Sequence, residues 1–223
     1  MVDEDQADAA HRATPAGTLS GTARVEAFSD GVMAIAITLL ILTIAVPAHK
    51  AGGLPTALGR MWPAYLAYLA SFLTVGIIWM NHHAFFSRLR HVDHAIRWWN
   101  LMLLLGVSIL PFPTQVIADN IRHGHRDAAT AAALYGGIAM VMSVPWVPLW
   151  RRLQTRPELF RPGFDTEFAR REGLRAWVGI VAYACCIAVG IVVPVAALIL
   201  YLAVAVFYAV TSQGWSQFGS DTE

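Results

Sequence analysis

The pattern of hydrophobic and polar positions divides the chain into six long apolar segments separated by shorter polar ones. Each segment approaches the roughly 20 apolar residues that cross a bilayer as a helix. The predicted spans cover approximately residues 24–46, 62–83, 95–118, 128–148, 174–193 and 195–211. Pro194 predicts a tight turn between the last two, because proline disfavours a helical conformation in the residue before it. The pattern therefore predicts an all-α membrane protein with six transmembrane helices per chain.

Composition supports a membrane protein and argues against several other classes. The chain is 57% hydrophobic and 14% charged, whereas soluble domains are about 45–50% apolar and about 25% charged. A net charge of +1 and the lack of a basic, aromatic-rich stripe argue against nucleic-acid binding. The sequence contains no HExxH, Walker or GxSxG motif and no TVGYG filter. We expect a six-helix domain at residues 21–211 between disordered cytosolic tails at 1–20 and 212–223.

Basic residues predict how the chain is oriented. Two arginines precede or open the first span, three follow the second span, and seven lie in the segment 151–175 after the fourth. The other side carries only four basic residues: Lys50, Arg60, Arg122 and Arg126. The positive-inside rule therefore places both termini in the cytoplasm. The segment 151–175 is interpreted as a cytosolic linker with a solvated helix, with contact to anionic lipid as the alternative.

The first predicted span combines an apolar stripe with a carboxylate. With residues at 100° steps along a helix, Phe28 shares one stripe about 100° wide with a further set of residues. That set is Gly31, Ile35, Thr38, Leu39, Leu42 and Val46. On a single chain such a stripe is usually a lipid face or packing seam, and Thr38 could bond to the carbonyl of Ala34. Asp30 lies on the opposite side, and a charge within a membrane marks a functional hypothesis.

We expect Asp30 to be the centre of a buried polar network where the first span begins, the second ends and the third begins. Side chains at this level can donate hydrogen bonds to a carboxylate. They are Ser29, Trp79, Asn81, His82, His83, Trp98, Trp99 and Asn100. The alternative for His82 and His83 is a place in the headgroup interface beside the tryptophans. Adjacent Cys185 and Cys186 are interpreted as buried small hydrophobic residues, because neighbours on a helix are poorly placed to form a disulfide.

Two motifs in the first three spans resemble those of a known family. The first span contains Arg24-x-x-x-Phe28-Ser29-Asp30, followed by Gly31-Val32 and the aliphatic run with Thr38. The second contains Trp79-x-Asn81-His82-His83-x-x-Phe86, and Asn100 and Pro111-Phe112 follow in the third. These residues resemble the lysosomal-type potassium channel family, also called transmembrane protein 175. Animal members have two six-helix repeats, so this chain is similar to the shorter bacterial members.

The resemblance implies a homotetramer in which the first span of each chain lines a central pore. Ile35, Leu39 and Leu42 would form narrow aliphatic rings, and Thr38 would form a polar ring near which a potassium ion passes. The Phe28-Ser29-Asp30 motif would tie the first span to its own subunit. We therefore expect a potassium-selective leak channel of the plasma membrane, surrounded by lipid. Because arginine is confined to the ends of the spans, we expect weak voltage dependence.

Two alternatives stay open at this point. One is a proton-conducting channel that uses Asp30, His82 and His83 as a relay, which the resemblance allows. The other is a small secondary transporter, although such proteins usually show internal repeats and broken helices. The sequence shows no paired catalytic residues, so we predict neither an enzyme nor a cofactor or bound metal, apart from the permeant potassium ion.

Overall fold

The structure, a computed structural model, describes residues 21–161 and 166–211 and confirms six membrane-spanning segments. The first span is the α-helix Gly21–Leu39 with a 3-10 turn at Leu40–Thr43, and the second is Trp62–Ser87. The remaining helices are His94–Ile109 with Pro111–Asn120 (third span), His125–Ser143 with Trp146–Thr155 (fourth), Thr166–Val192 (fifth) and Pro194–Thr211 (sixth). The predicted tails at 1–20 and 212–223 lie outside the described residues.

Proline breaks two of the spans. The third is interrupted between Ile109 and Pro111, because proline lacks the N–H that would continue the helical hydrogen bonds. The fourth is interrupted next to Pro145 and then continues to Thr155, well beyond the predicted end at residue 148. Pro148 lies in the first turn of the new helix, where its missing N–H has no partner to lose. A short helix at Leu54–Gly59, which the hydrophobic pattern did not predict, joins the first two spans.

The second, third and fourth spans form the interior of the subunit. Their most apolar windows are 44%, 44% and 39% buried, compared with 22% for each of the other three spans. Ser71 of the second span lies 2.7 Å from the Thr114 hydroxyl and 3.0 Å from that of Tyr135. These buried hydroxyls satisfy one another, as polar groups in an apolar interior must. The first span therefore lies at the edge of the subunit, against the second and third.

The described residues of the segment 151–175 form more regular structure than a simple linker. Its first residues complete the helix Trp146–Thr155, and a 3-10 turn follows at Pro157–Leu159. Phe160 then forms a single antiparallel bridge with Leu89, just beyond the second span. Arg152 donates to Asp93 at 2.7 Å and so holds this segment to the start of the third span. We call this end of the bundle, with residues 88–97 and 151–175, the arginine-rich end.

The cysteines differ from the prediction that both are buried. Cys186 is buried, but Cys185 is exposed on the subunit surface, and both are free thiols. The fifth span lies at the periphery, and adjacent residues on its helix point about 100° apart, so Cys186 faces the interior while Cys185 faces the outer surface.

Candidate functional site

The predicted stripe of the first span forms an uncovered apolar face of the subunit. The side chains of Ile35 and Leu42 are 63% and 71% exposed, and Leu39 is 43% exposed. Gly31 and Thr38 are also exposed, which gives this face one hydroxyl and one position without a side chain. Nothing within the described subunit packs over it.

The opposite face of the same helix is closely packed. Its buried residues follow the alternating spacing of four and three residues that marks one side of a helix. They are Ser29, Met33, Ala36, Leu40 and Thr43. Ile37 is half-buried and packs against the same core. The sequence therefore gives the first span two distinct sides, one fixed to its own subunit and one available to other molecules.

Thr38 bonds to a different carbonyl from the one anticipated. Its hydroxyl donates to the carbonyl oxygen of Ile35 at 2.8 Å, three residues back, and not to that of Ala34. A threonine hydroxyl has one donor and two acceptor positions. With the hydrogen directed to Ile35, the oxygen lone pairs remain on the exposed face. Such an oxygen can contribute to the coordination of a cation.

Asp30 is held at the edge of the packed face by the second span. The indole Nε1 of Trp79 donates to Asp30 Oδ1 at 3.0 Å. Asp30 itself is only half-buried, and Trp79 is 41% exposed. The expectation that Asp30 has a partner is confirmed, but its position at the centre of a buried network is wrong. The two spans are joined here by one charge-assisted hydrogen bond at a partly open site.

The centre of the buried network is Asn100. Its Nδ2 donates to Ser29 Oγ at 2.8 Å, and its Oδ1 lies 2.8 Å from His82 Nε2. An amide oxygen only accepts hydrogen bonds, so His82 must carry a hydrogen on Nε2. The hydroxyl of Ser29 in turn donates a hydrogen bond to the carbonyl oxygen of Val25. All three side chains are at most 1% exposed, so this chain of hydrogen bonds joins the first three spans in the dry interior.

His82 retains one buried atom without a partner. Its Nδ1 has no hydrogen-bond partner in the described part of the chain. The ring stacks on Phe86 with centroids 4.3 Å apart and the ring planes at 21°. The alternative in which His82 lies in the headgroup interface is wrong, because the side chain is 1% exposed.

His83 forms a separate pair with Glu26, a residue that was not singled out from the sequence. His83 Nδ1 lies 2.8 Å from Glu26 Oε1, and the histidine side chain is 59% exposed. Glu26 lies one helical turn before Asp30 and therefore on the same side of the first span. That spacing was a signal from which this pair could have been predicted.

The other predicted members of the network lie elsewhere. Asn81 faces a cavity between the second, fourth, fifth and sixth spans and makes no side-chain hydrogen bond with a described residue. Trp98 is 53% exposed, and Phe28 is 56% exposed on the apolar stripe. Arg24 is exposed at the start of the first span. Of the motif Phe28-Ser29-Asp30, only Ser29 and Asp30 bond to other spans of the subunit.

One cation and carboxylate pair lies just outside the membrane-spanning helices. Asp93 caps the third span by accepting from the amide of Ile96 at 2.9 Å, and it also accepts from Arg152. Partial burial opposes ionisation of Asp93, but these two donors outweigh it and hold the pKa of the carboxyl below its ordinary value. Within residues 21–161 and 166–211, no group of three or more His, Cys, Asp or Glu side chains is placed to hold a metal ion.

Comparison with known proteins gives a consistent result. The family model described as endosomal/lysosomal potassium channel TMEM175 matches residues 24–111. A potassium channel of Streptomyces collinus is 45% identical over 166 residues, which cover 74% of this chain and 80% of that protein. The human endosomal/lysosomal proton channel TMEM175 is 34% identical over 172 residues, which cover 73% of this chain and 34% of that protein.

The fold also matches a solved structure. The crystal structure of a lysosomal potassium-selective channel TMEM175 homolog from Chamaesiphon minutus superposes with a TM-score of 0.76 at 35% sequence identity. The match covers 86% of this chain and 98% of the other.

Proposed function

The chain belongs to the TMEM175 family of ion channels, and on that premise we propose that it forms a potassium-conducting channel lined by its first span. The observation that carries the proposal is the two-sided first span. Ser29, Met33 and Leu40 fix one side to the subunit, while Ile35 and Leu42 leave the other uncovered. Because one subunit presents one such face, we propose that four chains assemble around an axis with these faces inward.

The proposed conduction path follows from the chemistry of this face. Rings of Ile35, Leu39 and Leu42 around an axis would exclude water and form a hydrophobic constriction that serves as filter and gate. A ring of Thr38 oxygens between them would replace part of the water that a potassium ion loses in the constriction. Potassium loses its hydration shell more readily than sodium, so this arrangement favours potassium. We propose a leak channel with weak voltage dependence, because the spans carry arginine only near their ends.

The proposed location is the plasma membrane with both termini in the cytoplasm. The arginine-rich end carries most of the basic residues of the loops, and basic loops stay on the cytoplasmic side. The ring of Ile35 would then lie nearer the cytoplasmic mouth than that of Leu42.

A proton-conducting channel is the second candidate, because the human relative is named a proton channel. The buried chain of Ser29, Asn100 and His82 is the feature of this subunit that would have to carry protons. The family consists of ion channels, so no observation favours the secondary transporter.

The test is electrical recording of the purified protein in a planar bilayer, with potassium on one side and sodium on the other. If the protein conducts potassium, the current should reverse towards the potassium equilibrium potential and should not respond to a proton gradient. A reversal potential that follows the proton gradient would establish the alternative. Mass measurement in nanodiscs should give four chains, and a stable monomer or dimer would contradict the pore.

A further inference from the structure

A second, separate site lies inside each subunit, away from the first span. A cavity with an open mouth lies between the second span and the fourth, fifth and sixth spans. The cavity lies on the face of the second span that contains Ile77, Asn81 and Arg88, whereas Trp79 and His82 of the same helix face the first and third spans.

The wall of the cavity is apolar along most of its length. The side chains that form this part are Ile77, Ile78, Phe85, Met142, Trp146 and Tyr183. Along the second span the lining extends from Thr74 to Arg88, which corresponds to about 21 Å at 1.5 Å per residue. The hydrocarbon of one leaflet is about 15 Å deep, half of a typical bilayer core. The lining is therefore long enough for a single acyl chain to lie along it.

Cationic side chains collect at one end, on the arginine-rich end of the bundle. Arg88 stacks on Phe168 with its guanidinium carbon 5.0 Å from the ring centroid. Arg175 donates from Nη1 to Glu172 at 3.0 Å and from Nη2 to the carbonyl and hydroxyl oxygens of Thr211 at 2.7 and 3.1 Å. A guanidinium has five N–H donors, so Arg175 retains capacity for a further acceptor.

The charges at this end sum to a net positive rim. Arg88 and Arg175 contribute two positive charges and Glu172 one negative charge. Burial lowers the pKa of Arg88, and the nearby carboxylate of Glu172 opposes that shift. A poorly hydrated cation gains more from an anionic partner than a cation surrounded by water does. Nearby, Asn81 offers an amide without a partner among the described residues.

We propose that this cavity binds an anionic lipid of the adjacent leaflet, with its headgroup phosphate on Arg88 and Arg175 and one acyl chain along the apolar wall. Basic pockets between transmembrane helices at the headgroup level bind anionic lipid headgroups in this way. The occupant is an anionic lipid and not a soluble anion, because the apolar part of the cavity would otherwise lie empty beside a lipid phase. The site is independent of the pore, so the lipid can be bound whether or not potassium is the permeant ion.

The proposal is tested by lipid retention in native mass spectrometry, with phosphatidylglycerol and phosphatidylcholine as probes. The unsubstituted protein should retain phosphatidylglycerol in preference to phosphatidylcholine, up to one molecule per chain. Arg175→Gln should weaken retention about tenfold or more, because it removes a charge-assisted hydrogen bond to the headgroup phosphate. Arg90→Gln is the matched control, since Arg90 is exposed and lies outside the cavity lining.

A substitution that fills the cavity tests whether the lipid binds within the cavity or only to the charged side chains at its end. Ala176 is half-buried and lines the cavity, whereas Ala184 of the same helix is exposed and does not line it. Ala176→Phe should abolish phosphatidylglycerol retention, and Ala184→Phe should leave it unchanged. This pair decides the question even if Arg175→Gln fails to fold.

Three results would overturn the proposal. The first is equal retention of phosphatidylglycerol and phosphatidylcholine by the unsubstituted protein. The second is unchanged retention in Ala176→Phe. The third is stabilisation by inorganic phosphate as large as that by phosphatidylglycerol, measured as a shift in melting temperature, because it would assign the cations to a soluble anion.

Discussion

Asn100 Nδ2 donates to Ser29 Oγ across 2.8 Å and so joins the third span to the first in the dry interior of the subunit. The same amide bonds through Oδ1 to His82 of the second span. Asn100 therefore helps to fix how the first span lies against its neighbours, together with the bond between Asp30 and Trp79. The two bonds together influence the direction in which the uncovered stripe faces. The proposed pore depends on a hydrogen bond that does not itself touch the pore.

We expect Asn100→Ala to lower the melting temperature of the purified protein markedly. The substitution leaves His82 Nε2 without a partner, and an unsatisfied buried group costs about 1–3 kcal/mol. Ser29 Oγ loses the bond from Asn100 and keeps only its bond to the Val25 carbonyl. Asn81→Ala is the matched control, because Asn81 makes no side-chain hydrogen bond with a described residue and should cost much less. Equal melting temperatures for the two variants would contradict the assignment of Asn100 as the centre of the network.

We expect Asp30→Ala to impair folding or assembly more than ion selectivity. Asp30 points away from the stripe and bonds to Trp79 at 3.0 Å, so it supports the first span without facing the proposed axis. The measurement is the yield of assembled channel by size-exclusion chromatography together with the reversal potential of the remaining current. Normal assembly with an altered reversal potential would show that Asp30 faces the ion path.

A double-mutant cycle isolates the bond between these two residues. Trp79→Phe and Asp30→Ala should show a coupling of about 1 kcal/mol, because each group is partly exposed and water weakens a charged hydrogen bond. The free energies of unfolding of the two single variants and the double variant provide the coupling. Additive effects would mean that the contact contributes nothing to stability.

We expect the contribution of Asp93 to stability to disappear in acid. Its folded-state pKa is lowered because the Ile96 amide and Arg152 outweigh the effect of burial. A lowered pKa stabilises the folded state above the unfolded-state value of about 3.9. This stabilisation is lost as the pH falls through the folded-state pKa. Asp93→Asn retains a helix-capping oxygen but removes the charge, so it should melt below the unsubstituted protein at neutral pH.

The check is a series of melting curves for both proteins from neutral to strongly acidic pH. The two melting temperatures should begin to converge below about pH 4, where the unfolded chain becomes protonated, and should meet once the pH is below the folded-state pKa of Asp93. A difference that stays constant over this range would mean that the charge of Asp93 does not contribute. The capping oxygen or local packing would then account for the whole effect of the substitution.

The six spans were predictable from sequence because each is a long apolar run, and length together with apolar composition decides whether a helix can cross a bilayer. The end of the fourth span was not predictable in this way, because Pro148 suggested that the helix ends there. A proline in the first turn of a new helix is tolerated, and only the break near Pro145 makes Pro148 such a residue. Where a helix restarts after a proline depends on tertiary packing that a single sequence does not contain.

The polar cluster was predicted at the correct end of the first three spans but not with the correct pairings. Orientation of the spans brings Trp79, Asn81, His82 and Asn100 to one depth, yet it says nothing about the direction of each side chain around its helix. Asn81 lies about 200° from Trp79 on a helical wheel, which was enough to remove it from the partners of Asp30. Asn100 and not Asp30 is the centre of the buried hydrogen-bond network because of how closely the helices pack around it.

The last prediction concerns the uncovered face of the first span. Ile35, Thr38 and Leu42 lie on successive turns of one side, and all three are exposed in the subunit. Ile35→Asn or Leu42→Asn should wet the proposed constriction and raise the single-channel conductance, because a polar side chain removes the barrier that an aliphatic ring imposes on a charge. Thr38→Ala should reduce the preference for potassium over sodium without affecting assembly, because it removes the hydroxyl of the polar ring.

Ile37 provides the control, since it lies on the same helix but is half-buried and packs against the core of its own subunit. Ile37→Asn should lower the melting temperature, because it places an amide in an apolar environment, and should leave the conductance of correctly assembled channels unchanged. Conductance and reversal potential of all four variants distinguish the two sides of the helix. If Ile37→Asn alters permeation and the other three do not, the stripe faces lipid, and the potassium channel must conduct along another path.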